Sequence, residues 1–374
     1  FIEYELITTY WTIMAYLDGD NELETYIIDD FKEMALRGSS DRIKVAALLD
    51  RSPKIIFLDE EGNVIYEVDD QRYGNWTDTR LGIINRGDEP WDETNPDKEW
   101  GVSLGELDMG ININLADFVK WCHDTYPAKH YCLILSNHGL AFQGAFVDFT
   151  TMHEATLYEI KKALEDIKNY IQRKIDVLCF DACLMQNIEV AYSLKDVCYY
   201  LVGSEMGIPA TGFPYNYISY ELFLNPGMSP IDLSKKIVQT FDDYYRGGSE
   251  VETLSSFSMN EFKEDIVSVI NGFSDELMDL LNNGGIDKIK TAREKVKEME
   301  ELKQYNINDY IPGIIPLIPP APEISAVSPL IDLYDFADKV NSGQYAQDLK
   351  SLISNSRIKL FNDYEPGLNG ISIH

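Results

Sequence analysis

Short apolar runs that alternate with segments of helical periodicity constrain the fold of this chain more than any other feature. The apolar runs have the length of buried strands and occupy residues 10–20, 42–50, 130–137, 175–180 and 197–204. Apolar residues recur with helical spacing in residues 22–36, 114–126, 154–171 and 185–194. Buried strands that alternate with helices predict an α/β fold, an α/β/α sandwich in which helices cover both faces of a mainly parallel sheet.

The pattern changes after about residue 209. Pro209, Gly212 and Pro214 interrupt the chain, and helical spacing then dominates residues 229–246 and 260–305. We therefore predict an α/β domain over residues 1–209 and a mostly helical C-terminal domain over residues 210–374. The last apolar segment, GISIH, is a strand fragment that could return to the main sheet.

The charge balance restricts the classes of partner. The chain has 32 basic and 63 acidic residues, a formal net charge of −31. Nucleic acid is not an expected partner, because phosphate binding needs clustered Lys and Arg. The negative field is compatible with cationic substrates, although solubility explains most of such a charge equally well. No apolar run reaches the roughly 18 residues needed to span a bilayer. Because the chain starts at Phe1, we expect a processed product.

The cysteines and histidines indicate neither a disulfide scaffold nor a zinc site. Five cysteines in 374 residues are an odd and sparse set. Neither a CxxC pair nor an HExxH motif occurs, so we expect no metal in the catalytic chemistry. Among the cysteines, Cys183 stands out because it lies at the end of an apolar run and not inside one.

Two apolar runs end in reactive side chains. The run LILSNHG ends at His138 and Gly139, and the run DVLCFDAC ends at Cys183. In parallel sheets, functional groups gather beyond the carboxyl ends of the strands. A thiolate with a nearby imidazole is a nucleophilic pair, and a helix that starts after the cysteine would favour the thiolate. From spacing alone, a polar strand-end histidine and an inert buried cysteine explain the same residues.

Longer motifs resemble the clostripain family of cysteine peptidases, which are relatives of the caspases. The resemblance is carried by WTIMAYLDGDNELE, by GELDMG with LADFVKWCHDTYPAKHYCLILSNHG, by IDVLCFDACLMQNIEVAY and by YYLVGSEMGIPATGFPY. It spans most of the chain and is most specific between residues 100 and 216. The resemblance implies a caspase-like fold and a secreted or cell-envelope endopeptidase that cleaves after Arg or Lys. We expect a monomer that acts on peptides or proteins with a basic P1 residue.

The resemblance also implies roles for individual residues. His138 is the expected acid/base and Cys183 the nucleophile, and the N–H groups of Gly139 and Cys183 form the oxyanion hole. Asp181, two residues before the nucleophile, is expected at the base of the S1 pocket, although a helix N-cap is the alternative role for it. Ser204 and Glu205 are expected along the same rim, where a turn residue is the simpler interpretation of Glu205.

Calcium and self-processing are the points on which members of the family differ. Some relatives need calcium, and the acidic pairs at Asp18–Asp20, Asp69–Asp70 and Asp88–Glu89 could ligate it, with solvated loop charge as the alternative. No Lys or Arg lies between Gly139 and Ile160, so we expect no cleavage after a basic residue there.

Two other hypotheses remain at this stage. One is a catalytically silent caspase-fold binding or scaffold protein, which the intact His138, Gly139 and Cys183 disfavour. The other is a flavodoxin-like ligand-binding domain, which lacks the glycine-rich phosphate loop that would support it.

Overall fold

Strands and helices alternate along most of the chain, as a computed structural model shows for residues 9–52, 55–58, 64–68, 74, 76–91, 99–248, 252–296, 330–361 and 367–373. In these residues the strands are β1 (Trp11–Gly19), β2 (Ile43–Arg51), β3 (Ile55–Leu58), β4 (Val64–Val68), β5 (Arg80–Ile83), β6 (Val102–Ser103), β7 (His130–Ser136), β8 (Gly144–Asp148), β9 (His153–Thr156), β10 (Ile175–Asp181), β11 (Cys198–Gly203), β12 (Leu254–Ser258), β13 (Ile331–Asp332), β14 (Arg357–Phe361) and β15 (Ser372–Ile373). The helices are α1 (Glu24–Ala35), α2 (Asn112–Thr125), α3 (Leu157–Ile171), α4 (Ile188–Leu194), α5 (Tyr215–Leu224), α6 (Pro230–Tyr245), α7 (Met259–Asn282), α8 (Ile286–Lys295), α9 (Leu333–Val340) and α10 (Gln344–Ser356).

The main sheet has the strand order β14-β12-β11-β10-β7-β1-β2-β5-β6. Its five central strands, from β11 to β2, are parallel to one another. Antiparallel strands flank them on both sides. The predicted fold class, an α/β protein with a mainly parallel sheet, is confirmed. Because the central strands are parallel, their carboxyl ends all lie at one edge, which we call the functional edge.

Helices cover both faces of this sheet, and the alternation of side chains along β1 shows how. Met14 and Tyr16 pack into a core with α2, α3, α4, α7, α9 and α10. Ala15 and Leu17 point to the opposite face and pack with α1, α5 and α6. A strand that is buried on both faces must be apolar throughout, which explains the continuous apolar runs of the sequence.

Helix starts follow local chemistry. Thr156 caps α3, because its hydroxyl accepts from the Glu159 N–H at 3.3 Å. The Glu159 carboxylate in turn accepts from the Thr156 N–H. This capping box satisfies donors that the first turn of a helix leaves unpaired. Ser229 caps α6, because its hydroxyl accepts from the Asp232 N–H at 3.3 Å. Pro230 occupies the first turn of α6, where no backbone donor is needed.

The segment after residue 209 contributes to the main sheet as well as to the helical layers. Both β12 and β14 extend the sheet beyond β11. The terminal strand does not join it: β15 pairs with β13 in a separate two-stranded sheet. The division into domains at residue 209 stays a prediction. Within the described residues, every helix is too short or too polar to cross a membrane.

Candidate active site

The carboxyl ends of β7 and β10 lie side by side at the functional edge. In the parallel register, Asp181 of β10 is opposite Ser136 of β7. His138 and Cys183 each follow two residues beyond these paired positions, so the same register brings both residues to one edge. They line a common cleft of about 250 Å³ with Asp181, Asp30 and several apolar side chains.

Gly139 makes the closest backbone approach between the two strand ends. A Cβ atom built on Gly139 would lie 2.0 Å from the carbonyl oxygen of Cys183. No side chain fits there, so glycine is required for the His138 turn to pack on the Cys183 turn. On the other side of this contact, Leu184 adopts a left-handed φ of 62° and donates its N–H to the Met206 carbonyl at 2.9 Å.

The N–H of Gly139 is oriented away from its neighbouring strand. Gly139 pairs with Ala145 in an antiparallel bridge, but the hydrogen bonds belong to the flanking residues. Phe146 donates to the His138 carbonyl at 3.2 Å, and Leu140 donates to the Gly144 carbonyl at 2.9 Å. In such a pair the central residue directs its own N–H outward.

The imidazole of His138 has a carboxylate partner that sequence patterns did not identify. Its Nε2 lies 3.0 Å from Oε1 of Glu22, and the His138 side chain is almost completely buried. Burial opposes ionisation of Glu22, but the hydrogen bond and positive charge of His138 hold its pKa below the usual value. The sequence feature that could have indicated this partner is the acidic cluster DGDNELE at the end of the first strand. The cluster does not show which of its residues contacts the end of β7.

The thiol of Cys183 is half-buried at the mouth of the turn that follows β10. Its Sγ accepts a hydrogen bond from the Ile208 N–H at 3.3 Å. The helix predicted over residues 185–194 begins only at Ile188, because Asn187 caps it by accepting from Val190 at 2.9 Å. The expectation that a helix N-terminus directly follows Cys183 is therefore corrected: four residues separate them.

Asp181 is buried and does not cap a helix, since Asn187 performs that role. Its Oδ2 accepts from the Phe213 N–H at 3.0 Å and from the Tyr215 hydroxyl at 2.6 Å. Burial raises the pKa of Asp181 to about 6 despite these two hydrogen bonds. Gly212 lies against this carboxylate, where a Cβ would approach Oδ2 to 2.6 Å.

A second buried carboxylate, Asp30 of α1, lines the same cleft. Burial and the neighbouring charge of Asp181 raise the pKa of Asp30 well above its usual value. In the part of the chain that the structure describes, no Lys or Arg forms an ion pair with either carboxylate. Sequence reasoning missed Asp30, because an acidic residue within an amphipathic helix is ordinarily assigned to the solvent face.

The structure does not bring Ser204 and Glu205 into this cleft. Both side chains are completely buried. The Ser204 hydroxyl accepts from the Met206 N–H at 3.0 Å, and Oε1 of Glu205 accepts from the Gly370 N–H at 2.6 Å. Their assignment to the S1 rim is corrected: the chain after β11 turns inward towards the C-terminal segment, which provides polar partners for Glu205.

One of the acidic stretches considered for calcium takes part in a carboxylate cluster. Asp20, Asp50, Glu106 and Asp148 each offer an oxygen, and these oxygens lie within 4.8 Å of one another. Asp88 instead accepts from the Asn85 N–H at 2.7 Å within its own turn. Residues 69 and 70 lie outside the described residues.

Comparisons with known proteins identify the family and the fold. The sequence profile of the clostripain family matches residues 15–347. Clostripain from Hathewaya histolytica is 25% identical over 425 residues, covering 97% of this chain and 74% of the relative. The fold is similar to an inactive zymogen protease from Parabacteroides distasonis, with a TM-score of 0.63, 18% identity and coverage of 98% of this chain and 92% of that chain.

A secreted cysteine protease from Bacteroides thetaiotaomicron, solved with an irreversible peptide inhibitor, has the same fold. Its TM-score is 0.61 with 16% identity, covering 97% of this chain and 91% of that chain. The family match extends over most of the sequence, including both strand ends that carry His138 and Cys183. The chain therefore belongs to the clostripain family and is a cysteine-type peptidase.

Proposed function

We propose that the chain is an endopeptidase that cleaves after Arg or Lys, with Cys183 as nucleophile and His138 as general acid and base. The observation that carries this proposal is the shared cleft, which these two side chains line together with two buried carboxylates. The alternative of a catalytically silent protein is not favoured, because the family is a peptidase family.

The chemistry follows from the positions of these groups. The Cys183 thiolate attacks the scissile carbonyl carbon and forms a C–S bond, and the carbonyl oxygen becomes an oxyanion. The outward N–H of Gly139 and the N–H of Cys183 are proposed to donate to this oxyanion. The C–N bond then breaks, and His138 gives a proton to the leaving amine. Water, deprotonated by His138, cleaves the acyl-enzyme and restores the thiolate.

Glu22 is proposed as a positioning residue for His138. Its carboxylate lies 3.0 Å from Nε2 and is partly screened from solvent. A carboxylate at this distance fixes the ring orientation and stabilises the imidazolium that donates its proton to the leaving amine. Glu22 does not contact the peptide bond in this scheme, so it acts through the imidazole.

The preference for a basic P1 side chain rests on Asp181 and Asp30. Burial raises the free energy of the charged state of both carboxyl groups, and the charge of Asp181 adds to this effect at Asp30, so the pKa values of both are raised. A guanidinium or ammonium group between them would relieve that repulsion and gain charge-assisted hydrogen bonds. A neutral P1 side chain would leave the carboxylates without compensation, so the pocket discriminates by charge.

Hydrolysis of reporter peptides tests the proposal. Wild type should release the reporter after Arg and Lys and not after Asp or Asn, and Cys183→Ala should be inactive against all four. Citrulline at P1 keeps the shape of Arg without its charge. We expect kcat/KM to fall by about a hundredfold from Arg to citrulline, a typical cost for an unpaired buried charge.

A variant of Asp181 tests the charge of the S1 pocket without changing Cys183 or His138. Asp181→Asn should abolish the preference for Arg over citrulline, whereas Asp88→Asn, an acidic residue in an exposed turn, should keep it. Equal turnover of Arg and citrulline peptides by wild type would refute the charge-based pocket without affecting the dyad. Turnover by Cys183→Ala would refute the nucleophile.

Secretion or attachment to the cell envelope and a monomeric state are also proposed. Secretion is supported by the family resemblance and by the relative from Bacteroides thetaiotaomicron, which is described as secreted. Gel filtration at several protein concentrations tests the monomer.

A further inference from the structure

The turn after β10, which carries the proposed nucleophile, lies between two other segments of the chain. On one side, the Leu184 N–H donates to the Met206 carbonyl at 2.9 Å. On the same side, the Gln186 N–H donates to the Ser204 carbonyl at 2.8 Å. On the other side, the Ser372 N–H donates to the Gln186 carbonyl at 3.1 Å. The segment after β11 and the segment that contains β15 therefore both fix the backbone of this turn.

Glu205 joins these two segments through its side chain. It lies between the two residues after β11 that accept from the turn, and its side chain is completely buried. Its Oε1 accepts from the Gly370 N–H at 2.6 Å. Gly370 has a left-handed φ of 90°, and a Cβ built on it would lie 2.8 Å from Cβ of Ser255. Glycine is therefore required where Glu205 reaches the C-terminal segment.

Asp332, at the end of β13, is the second partner of the Glu205 side chain. A side-chain hydrogen bond connects the two carboxyl groups. Oδ1 of Asp332 also accepts from the Asp335 N–H at 2.6 Å and from the Asn369 side chain at 3.1 Å. Oδ2 of Asp332 accepts from the Asn369 N–H. Both oxygens of Asp332 thus face backbone donors, which an ionised carboxylate satisfies and a protonated oxygen does not.

The position of the proton in this pair follows from these contacts. Two carboxyl groups form a hydrogen bond with each other only when one of them carries a proton. Oε2 of Glu205 is buried, and no described residue donates to it. It is therefore the oxygen suited to carry the proton and to donate to the Asp332 carboxylate.

The surroundings of the pair contain little compensating positive charge. In the part of the chain that the structure describes, neither Glu205 nor Asp332 forms an ion pair. Arg357 of β14 attracts the Glu205 charge, but its guanidinium donates to the Asn369 carbonyl at 2.7 Å. Burial and the charge of Asp332 raise the pKa of Glu205 well above its usual value, and burial raises the pKa of Asp332 to about 6. A single negative charge on the pair is less costly here than two.

We propose that Glu205 and Asp332 form a carboxylic acid–carboxylate pair that positions the backbone of the Cys183 turn for catalysis. This inference rests on the proposed role of Cys183 as nucleophile. The bond between the two side chains holds the segment after β11 and the C-terminal segment together, with the turn between them. The N–H of Cys183, which is proposed to donate to the oxyanion, belongs to that turn. Both acids act through the backbone, so they are positioning residues.

Glu205→Gln tests the pair, because an amide can replace the carboxylic acid atom for atom. Its oxygen would accept from the Gly370 N–H, and its amide N–H would donate to the Asp332 carboxylate without a shared proton. We expect kcat for an Arg reporter peptide to stay within about twofold of the parent. Asp332→Asn should lower kcat about tenfold or more, because one of its atoms becomes a donor that faces an N–H donor.

Glu205→Ala removes both bonds and should lower kcat to a similar extent. In the impaired variants, KM should change by less than about twofold, because the S1 pocket at Asp181 is not altered. Asp338→Asn is the control: it lies on α9, pairs with Lys350 at the surface and should match the parent. Each rate is divided by the folded fraction from a melting curve, so loss of folded protein does not count as loss of kcat.

Infrared difference spectra detect the proton itself. The C=O stretch of a carboxylic acid is distinct from the bands of a carboxylate. At neutral pH, the spectrum of the parent minus that of Glu205→Gln should contain a carboxylic acid band. The spectrum of the parent minus that of Asp338→Asn should lack it. This measurement decides the protonation of Glu205 even if Glu205→Ala or Asp332→Asn does not fold.

Equal impairment of Glu205→Gln and Glu205→Ala would overturn the proposal. The absence of the carboxylic acid band, or full activity of folded Asp332→Asn, would also overturn it. These comparisons apply to a parent that hydrolyses the Arg peptide and loses this activity in Cys183→Ala. Inactivity of the parent towards every reporter would refute the peptidase proposal instead, and the two failures are thereby distinguished.

Discussion

Replacement of Gly139 by Ala should disturb the geometry of the active site while the protein still folds. The new Cβ would lie 2.0 Å from the Cys183 carbonyl oxygen and 2.9 Å from Cγ of Met185. Carbon and oxygen atoms need about 3 Å or more, so the two turns must separate by about 1 Å. A displacement of this size between catalytic groups costs about a hundredfold in rate, equivalent to about 2.7 kcal/mol in the activation barrier.

The assay compares kcat/KM for an Arg reporter peptide with the rate at which iodoacetamide alkylates Cys183. We expect kcat/KM to fall by about a hundredfold in Gly139→Ala, while stoichiometric alkylation shows that the thiol is still present and accessible. Gly227→Ala is the matched control, because its Cβ would meet the nearest atom, in Tyr10, at 3.9 Å. Activity of Gly139→Ala within about twofold of wild type would refute the close approach of the two strand ends.

The acidic residues of the functional edge should give separate signatures. Since burial raises the pKa of Asp181 to about 6, kcat/KM for Arg peptides should fall as the pH drops through about 6, and citrulline peptides should lack that dependence. Glu22→Gln should lower kcat about tenfold with KM unchanged. The reason is that a hydrogen bond between His138 and a neutral amide is about 1–1.5 kcal/mol weaker than one between His138 and a carboxylate. An equal rise in KM would contradict this role. Asp20 and Glu106, with folded pKa values of about 7 and about 8, make the folded state bind more protons than the unfolded one. Stability should then fall as the pH rises from about 4 to about 8, which urea unfolding curves at several pH values measure.

The parallel sheet and the positions of His138 and Cys183 were predictable from the sequence because both depend on local patterns. A strand buried on both faces must be continuously apolar, so its end is visible where polar residues begin. Parallel strands place such ends at one edge, and the register of β7 with β10 brings these two residues together without any further information.

Partners that come from distant segments were not predictable in this way. Glu22 and Glu106 are acidic residues in polar surroundings and Asp30 lies on an amphipathic helix, and nothing in their neighbours distinguishes them from solvated charges. The assignment of Glu205 failed for the same reason. Its partner is the Gly370 N–H, 165 positions further along the chain, and this contact draws the side chain inward and away from the cleft.

The pKa of a carboxylate at the functional edge depends on its burial and on the groups that contact it. Glu22 faces an imidazole, and its pKa is lowered. Asp181 is buried and accepts from neutral donors, and burial raises its pKa to about 6. Asp20 faces other carboxylates, and its pKa rises further. Similar side chains therefore suit different roles, and we propose that Glu22 positions an imidazole and that Asp181 selects a cationic side chain. The acidic residues behind the net charge of −31 thus include buried groups with raised pKa values as well as exposed ones.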